Sequence, residues 1–199
     1  MTKVEMIPLS DILNIVYRPI TLIEDSLYRL IGIRLYGEGV YIREEKYGKD
    51  IGANTLYEVH KGDFIYSRLF AWKGAFGVAT ENDHNALASN EFPIFKSKKE
   101  NISIDYIKEI ILTPSLWEIF ESLCTGTTKS SRNRLSVDDF LSVKIPVATS
   151  KNERLLFIQY CRIIKKYTEL VRELLQTTNA SIHMTRLQNW SKSVGNIDV

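Results

Sequence analysis

The chain has 199 residues, of which 44% are hydrophobic and 25% charged, a composition that suits a globular protein and makes disorder the less expected state. The formal net charge is only +2, so a nucleic-acid-binding role has to rest on local clusters of cations. No stretch approaches the ~20 apolar residues of a membrane span, Met1 to Ser10 lack the apolar core of a signal peptide, and Cys124 and Cys161 form no disulfide or metal framework, so a reduced, cytoplasmic setting without a membrane partner is expected.

The first 100 residues read mainly as strands and turns. Leu27 to Tyr36 is rich in β-formers, and a polar stretch from Gly37 through Asp50 follows it. Thr55 to His60 predicts a strand, Lys61-Gly62-Asp63 a turn, and Phe64 to Ser67 the strand it feeds. Ala75 to Ala79 predicts another short strand. Phe92 to Phe95 predicts a fourth, which Pro93 assigns to a sheet edge or a strand start.

From Ser103 the pattern turns helical. Ser103 is a credible N-cap for Ile104 to Leu112, and Thr113-Pro114 opens a second helix, Ser115 to Cys124. A polar, basic loop runs from Gly126 to Arg134, then a capped turn at Ser136 to Phe140 and an extended segment, Leu141 to Val147. Between Glu153 and Gln176, apolar residues fall at Leu156, Tyr160, Ile163, Tyr167, Leu170 and Leu174, in steps alternating four and three. That is the heptad seam of a coiled coil, and Phe157, Ile164 and Val171 form a second row beside it. Such a helix, ~36 Å long at ~1.5 Å per residue, pairs with another long helix or docks on its own domain. Residues 177–199 lack periodicity and carry no assignment. The fold class is α+β: a mixed, mostly β domain with short helices over residues 1–150, then a long coiled-coil-type helix and tail over 151–199.

A search for catalytic chemistry returns little. Gly126-Thr-Thr-Lys129-Ser130 carries a lysine and a serine as a phosphate loop would, but Thr128 stands where the wrapping glycine belongs. There is no Pro-Pro pair and no paired-glycine strand–helix turn of the kind an amino-methyltransferase needs. Asp138-Asp139 suits the acidic first turn of a helix better than a metal centre. His60, His84 and His183 are far apart in sequence, and no nucleophile-elbow pattern accompanies them. No catalytic residue, metal ligand or cofactor is assigned to this chain.

Three segments concentrate cations beside hydrogen-bonding or aromatic side chains. The first holds Arg34, Tyr36 and Lys46, diluted by Glu44 and Glu45. The second holds Arg68, Trp72 and Lys73. The third, with Thr128, Lys129, Arg132, Asn133 and Arg134, contains no acid. Arginine can bond guanine O6 and N7 bidentately and asparagine can do the same with adenine, whereas lysine and threonine typically contact phosphates. The alternative for each segment is an exposed basic loop that merely keeps the domain soluble.

Several stretches resemble the specificity (S) subunit of type I restriction–modification systems. Val59-His-Lys-Gly-Asp-Phe-Ile-Tyr-Ser-Arg68 is similar to a recurrent segment of that family's target recognition domains, ahead of a loop and the strand Gly74 to Val78. Gly126 to Pro146 and Asn152 to Ile158 resemble the segments that end the domain and begin the conserved helix, and Val4 to Leu13 resembles its customary start. The resemblance covers about residues 1 to 176. It implies a non-catalytic chain that reads half of a split double-stranded DNA target and docks methyltransferase (M) subunits through the helix. S-adenosylmethionine, ATP and Mg would belong to the partner M and restriction (R) subunits. Arg154 replaces the family's usual glutamine, and the single recognition domain leaves open a natural half-subunit, a silent cassette or a truncated form. A half-subunit could homodimerise through the Leu156–Leu174 seam; the alternative is a helix-mediated protein–protein assembly module that does not read DNA.

Overall fold

The computed structural model describes residues 3–53, 55–126 and 133–194, with side chains to residue 177. In chain order the described residues form β1 (Val4–Pro8), β2 (Leu13–Val16), β3 (Pro19–Ile20), β4 (Leu27–Ile33), β5 (Val40–Tyr47) and β6 (Leu56–Glu58). These are followed by β7 (Phe64–Tyr66), β8 (Phe76–Val78), β9 (Leu87–Ser89) and β10 (Ile94–Ser97). Helices α1 (Ile104–Ile111), α2 (Pro114–Leu123) and α3 (Val137–Ser142), strand β11 (Lys144–Ala148) and helix α4 (Lys151–Val194) complete the order. The chain divides into two compact units, Met1–Leu155 and Leu156–Val199.

Within the first unit, the described residues build three sheets. One has the order β2-β10-β7-β8 and a second β3-β6-β9-β4-β5, while β1 pairs only with β11. The long hairpin of β4 and β5 runs from Leu27↔Tyr47 to Ile33↔Val40 with a bulge at Leu30/Ile31. Beside it β9 joins β4 in parallel, through Leu30↔Leu87. The polar stretch after Gly37 is thus a strand. Its side chains alternate between half-buried and exposed from Ile42 onward, and the charged residues Arg43 and Glu45 occupy the exposed set. One polar face on a two-sided strand hides the apolar signal that marks β4. The preceding strand stops at Ile33, short of Tyr36, because the hairpin turns there.

Strand β10 is flanked on both sides, by β2 and β7, so it is interior, and Pro93 stands just ahead of it, where a missing N–H removes no ladder bond. The core beneath this sheet is aromatic. Phe64, Tyr66, Phe76, Phe95, Phe120 and Phe140 are all fully buried, with neighbouring ring centroids 4.6–6.3 Å apart. A second, separate apolar cluster includes Ile31, Ile33, Val59, Ile65 and Ile94.

The helices start where their caps lie. Ser103 Oγ accepts from Tyr106 N–H at 3.2 Å, and Ser136 Oγ from Asp139 N–H at 3.0 Å. Thr113 makes no such bond. Instead its hydroxyl donates back to Ile110 O at 2.8 Å, and Pro114 supplies the preset first turn of α2. On the buried face of α1 stand Tyr106, Ile107, Ile110 and Ile111. Tyr106 also receives Ala148 N–H on its hydroxyl, tying α1 to β11.

Arg154, in the first turn of α4, is 94% buried by its 6% exposure, and its guanidinium donates to the carbonyls of Ala148, Thr149 and Asn101. It therefore fixes that turn to the end of β11 within the first unit. In the second unit α4 continues to Val194, so residues 177–194, unassigned from sequence, are helical. Its 44 residues span about 66 Å. All six seam residues are exposed, from Leu170 at 50% to Tyr167 at 67%. No described helix is long and apolar enough to cross a membrane.

Candidate nucleic-acid interface

Two of the three basic segments have described members that the fold connects. The tip of the β4–β5 hairpin closes with Arg34 N–H on Gly39 O at 2.9 Å. Beyond it, Tyr36 N–H donates to Lys73 O at 2.9 Å and Gly37 N–H to Gly74 O at 2.8 Å. This two-bond clamp holds Arg34 and Tyr36 of the hairpin next to Trp72 and Lys73 of the β7–β8 loop. Tyr36 has φ 58°, unusual for a residue with a side chain, and Gly37 continues at 75°. Gly74, at φ 69°, rests on Trp117 of α2, where a Cβ would lie 2.4 Å from the indole. Trp117 is held by Nε1 donation to Ile111 O at 3.0 Å, and its ring lies 6.3 Å from that of Tyr36. The indole is thus the floor beneath the clamp, a role its sequence position does not announce.

The cations at this tip face aromatic rings and, among the described residues, pair with no acid. Arg34 sits 4.4 Å over the Tyr41 ring, and the ammonium of Lys73 sits 4.6 Å over Trp72. Trp72 Nε1 donates to Leu69 O at 3.1 Å, which fixes the indole half-buried in its own loop. Tyr36 is 65% exposed. An exposed ring with two cations held on aromatic faces is a surface able to contact phosphate and stack on bases.

Arg68 belongs to a different neighbourhood. Its N–H donates to Glu91 O at 2.9 Å, and its carbonyl accepts Leu135 N–H at 2.9 Å. The hydroxyl of Tyr66 donates toward the carbonyls of Leu135 and Ser136, at 3.2 and 3.1 Å. Burial pushes that phenol above its usual range, so it remains a donor throughout the physiological range. These bonds seat the C-terminal end of the basic loop, which its Thr125↔Arg134 bridge closes. Arg134 itself pairs with Glu91 at 2.6 Å. Asn133 is half-buried beside it. Thr128, Lys129 and Arg132 lie outside the described residues.

Lys46 is not brought to the tip. It stands opposite Tyr28, at the far end of β5, and pairs with Glu44 at 2.9 Å; Arg43 pairs with the same carboxylate, and the two cations hold Glu44 below the ordinary carboxylate range. Burial pushes the Cys124 thiol up to about 11, so it is a protonated thiol at neutral pH. No group of three or more metal-ligating side chains occurs among the described residues.

One buried pair escaped sequence reasoning. Asp63, of the Lys-Gly-Asp turn, is fully buried and pairs with Arg18, 45 positions earlier. The same carboxylate accepts His60 N–H at 2.7 Å. The aspartate in that recurrent segment thus serves the turn and the entry into β7, the strand that leads directly to Arg68.

No family model and no curated protein matches this chain. Solved structures share its fold. The HsdS subunit from Thermoanaerobacter tengcongensis superposes with a TM-score of 0.69 at 12% identity, over 93% of this chain and 47% of that one. A chain from a structure titled for complex assembly and conformational transition of the type I R-M system gives 0.74 at 11% identity, over 98% and 51%. The type I restriction–modification S subunit from M. genitalium gives 0.56 at 12%, over 88% and 42%. This chain spans about half the length of each, and over that span it has the fold of the type I restriction–modification S subunits.

Proposed function

We propose that this chain is a sequence-specific DNA-recognition subunit of a type I restriction–modification complex, directing an adenine methyltransferase and a restriction subunit to a split DNA target. The observation that carries the proposal is the likeness to S subunits over almost the whole chain, recognition unit and long helix together. The clamp joining Arg34 and Tyr36 to Trp72 and Lys73 supports it, because it gathers phosphate- and base-contacting groups from separate segments. Chemistry on the base falls to the partners, which hold S-adenosylmethionine, ATP and Mg. The exposed Leu156–Leu174 seam serves assembly, with a second copy or with the M subunits.

The test is methylome sequencing of cells that express the chain with its M partner. Two copies paired through the seam would present identical readers, so the methylated motif should be an interrupted palindrome. A continuous asymmetric motif refutes the homodimer, and absence of any chain-dependent methylation refutes the proposal. Replacing Arg132 or Arg68 with alanine should weaken duplex binding by the complex. The exposure of all six seam residues serves a second reading equally well, a helix-mediated assembly module that does not read DNA. A gel shift separates them: that module would bind M subunits and leave the duplex free.

A further inference from the structure

A cleft of about 190 Å³ opens between the end of β2, strand β6 and the turn from β9 into β10. Its polar lining comes from Tyr17, Tyr57, Arg68, Ser89 and Asn90, and the other described residues that line it are apolar. The volume is below the ~300–1,000 Å³ of sites for whole cofactors or drug-sized ligands, and suits one heterocyclic ring.

Two observations say which ring. Arg68 forms no ion pair among the described residues, and its Nε is buried without an acceptor. Arg68 lines the cleft, so its guanidinium fork can take an acceptor brought into it. Tyr17 is 65% exposed although it lies against Tyr57, with centroids 5.8 Å apart and planes at 60°. It therefore presents an open π-face at the mouth of the cleft, where a flat ring can stack. Guanine presents O6 and N7 side by side as acceptors, the pattern an arginine fork matches.

We propose that this cleft holds a single guanine base out of its stack, Arg68 bonding its O6/N7 edge and Tyr17 stacking on its face. That the base comes from DNA rests on the function proposed above; the same chemistry would take a free guanine nucleotide. Extrusion removes a base from its neighbours, and a pocket of aromatic and apolar walls is what receives it in proteins that unstack nucleotides.

The experiment titrates the full chain with GMP, AMP and ribose 5-phosphate by calorimetry, and in parallel tests duplex DNA by gel shift with the chain assembled with its M partner. Expected is a preference for GMP over AMP of about tenfold or more, as one bidentate contact supplies. Arg68→Lys, which keeps the charge and loses the fork, should abolish the preference. Tyr17→Ala, at a mostly exposed position, should weaken GMP without unfolding the chain, and Tyr17→Phe should leave it intact. Equal binding of ribose 5-phosphate and GMP, or GMP affinity unchanged in both Arg68→Lys and Tyr17→Ala, overturns the proposal. Duplex binding without any GMP binding overturns it too, and leaves the DNA-recognition role standing. GMP binding without duplex binding upholds the guanine site and assigns its source to a free nucleotide, at the expense of the DNA-recognition role.

Discussion

Replacing Arg18 with methionine isolates the buried pair under the Lys61–Asp63 turn. Asp63 is 0% exposed, Oδ2 receives Arg18 and His60 N–H, and Oδ1 is buried without a partner. Its carboxyl titrates above the ordinary aspartate value because burial outweighs the opposing pull of His60 N–H and Arg18. Removing one partner of such a pair leaves an uncompensated buried charge, worth ~3–5 kcal/mol, against a whole-domain stability of ~5–15 kcal/mol. The pH dependence has a definite sign. A carboxyl whose folded pKa is raised holds its proton more tightly folded than unfolded, so stability falls as pH climbs from the unfolded value through the folded one. Arg18→Met raises the folded pKa further. The variant's deficit should be largest at pH 7 and shrink as pH falls toward that pKa. Urea unfolding followed by tryptophan fluorescence at pH 7 and pH 5 measures it. The double variant Arg18→Met/Asp63→Asn should recover part of the loss. A deficit under ~1 kcal/mol at pH 7, or one equal at the two pH values, would show that the pair is not buried and uncompensated in this way.

Arg34→Ala and Lys73→Ala should each weaken duplex binding by the assembled complex and lower the salt slope by about 1, whereas Lys46→Ala, already paired with Glu44, should change neither. Salt-titrated binding curves decide this, and an effect of Lys46→Ala as large as that of Lys73→Ala would contradict the grouping. Arg154→Ala removes donors from three carbonyls and should destabilise the first unit by ~1–3 kcal/mol in urea unfolding, with Arg154→Gln retaining part of the bonding. Ile163→Glu with Leu170→Glu should abolish helix-mediated association in analytical ultracentrifugation or M-subunit pull-down, while leaving the unfolding transition of the first unit unmoved. Association surviving both changes would remove the seam from assembly.

What could be seen in the sequence was whatever has a local cause. Ser103 and Ser136 cap because a hydroxyl there meets an N–H three residues on, and Lys61-Gly62-Asp63 turns because its own residues favour turning. The long helix showed through its own period as far as Gln176. Strands of two or three residues, such as β3 and β9, carry no period, and partners distant in sequence decide them, as in Leu30↔Leu87. β5 was hidden by its charged face. In the interface, the residue types of the tip were legible, but the clamp between Tyr36–Gly37 and Lys73–Gly74 consists of backbone bonds and leaves no trace in composition. The pairing of Arg134 with Glu91 joins residues 43 apart for the same reason.

The partition of charge follows from those long-range pairings. Of the five candidate cations among the described residues, Lys46 and Arg134 face carboxylates, while Arg34, Arg68 and Lys73 have none. The chain as a whole carries 26 cations against 24 acids, so these three are excess positive charge only locally, and compensating acid sits elsewhere. Such a distribution has little net field beyond the ~8–10 Å over which salt screens exposed charges. It cannot draw in a duplex from a distance as a strongly basic protein does. In the proposed role its contribution would come at contact, through forked donors and aromatic faces, which discriminate between bases more than they add general affinity. A chain built so would bind DNA weakly alone and strongly once partner subunits supply the phosphate contacts. That division fits a recognition subunit whose long helix carries an exposed apolar seam for assembly.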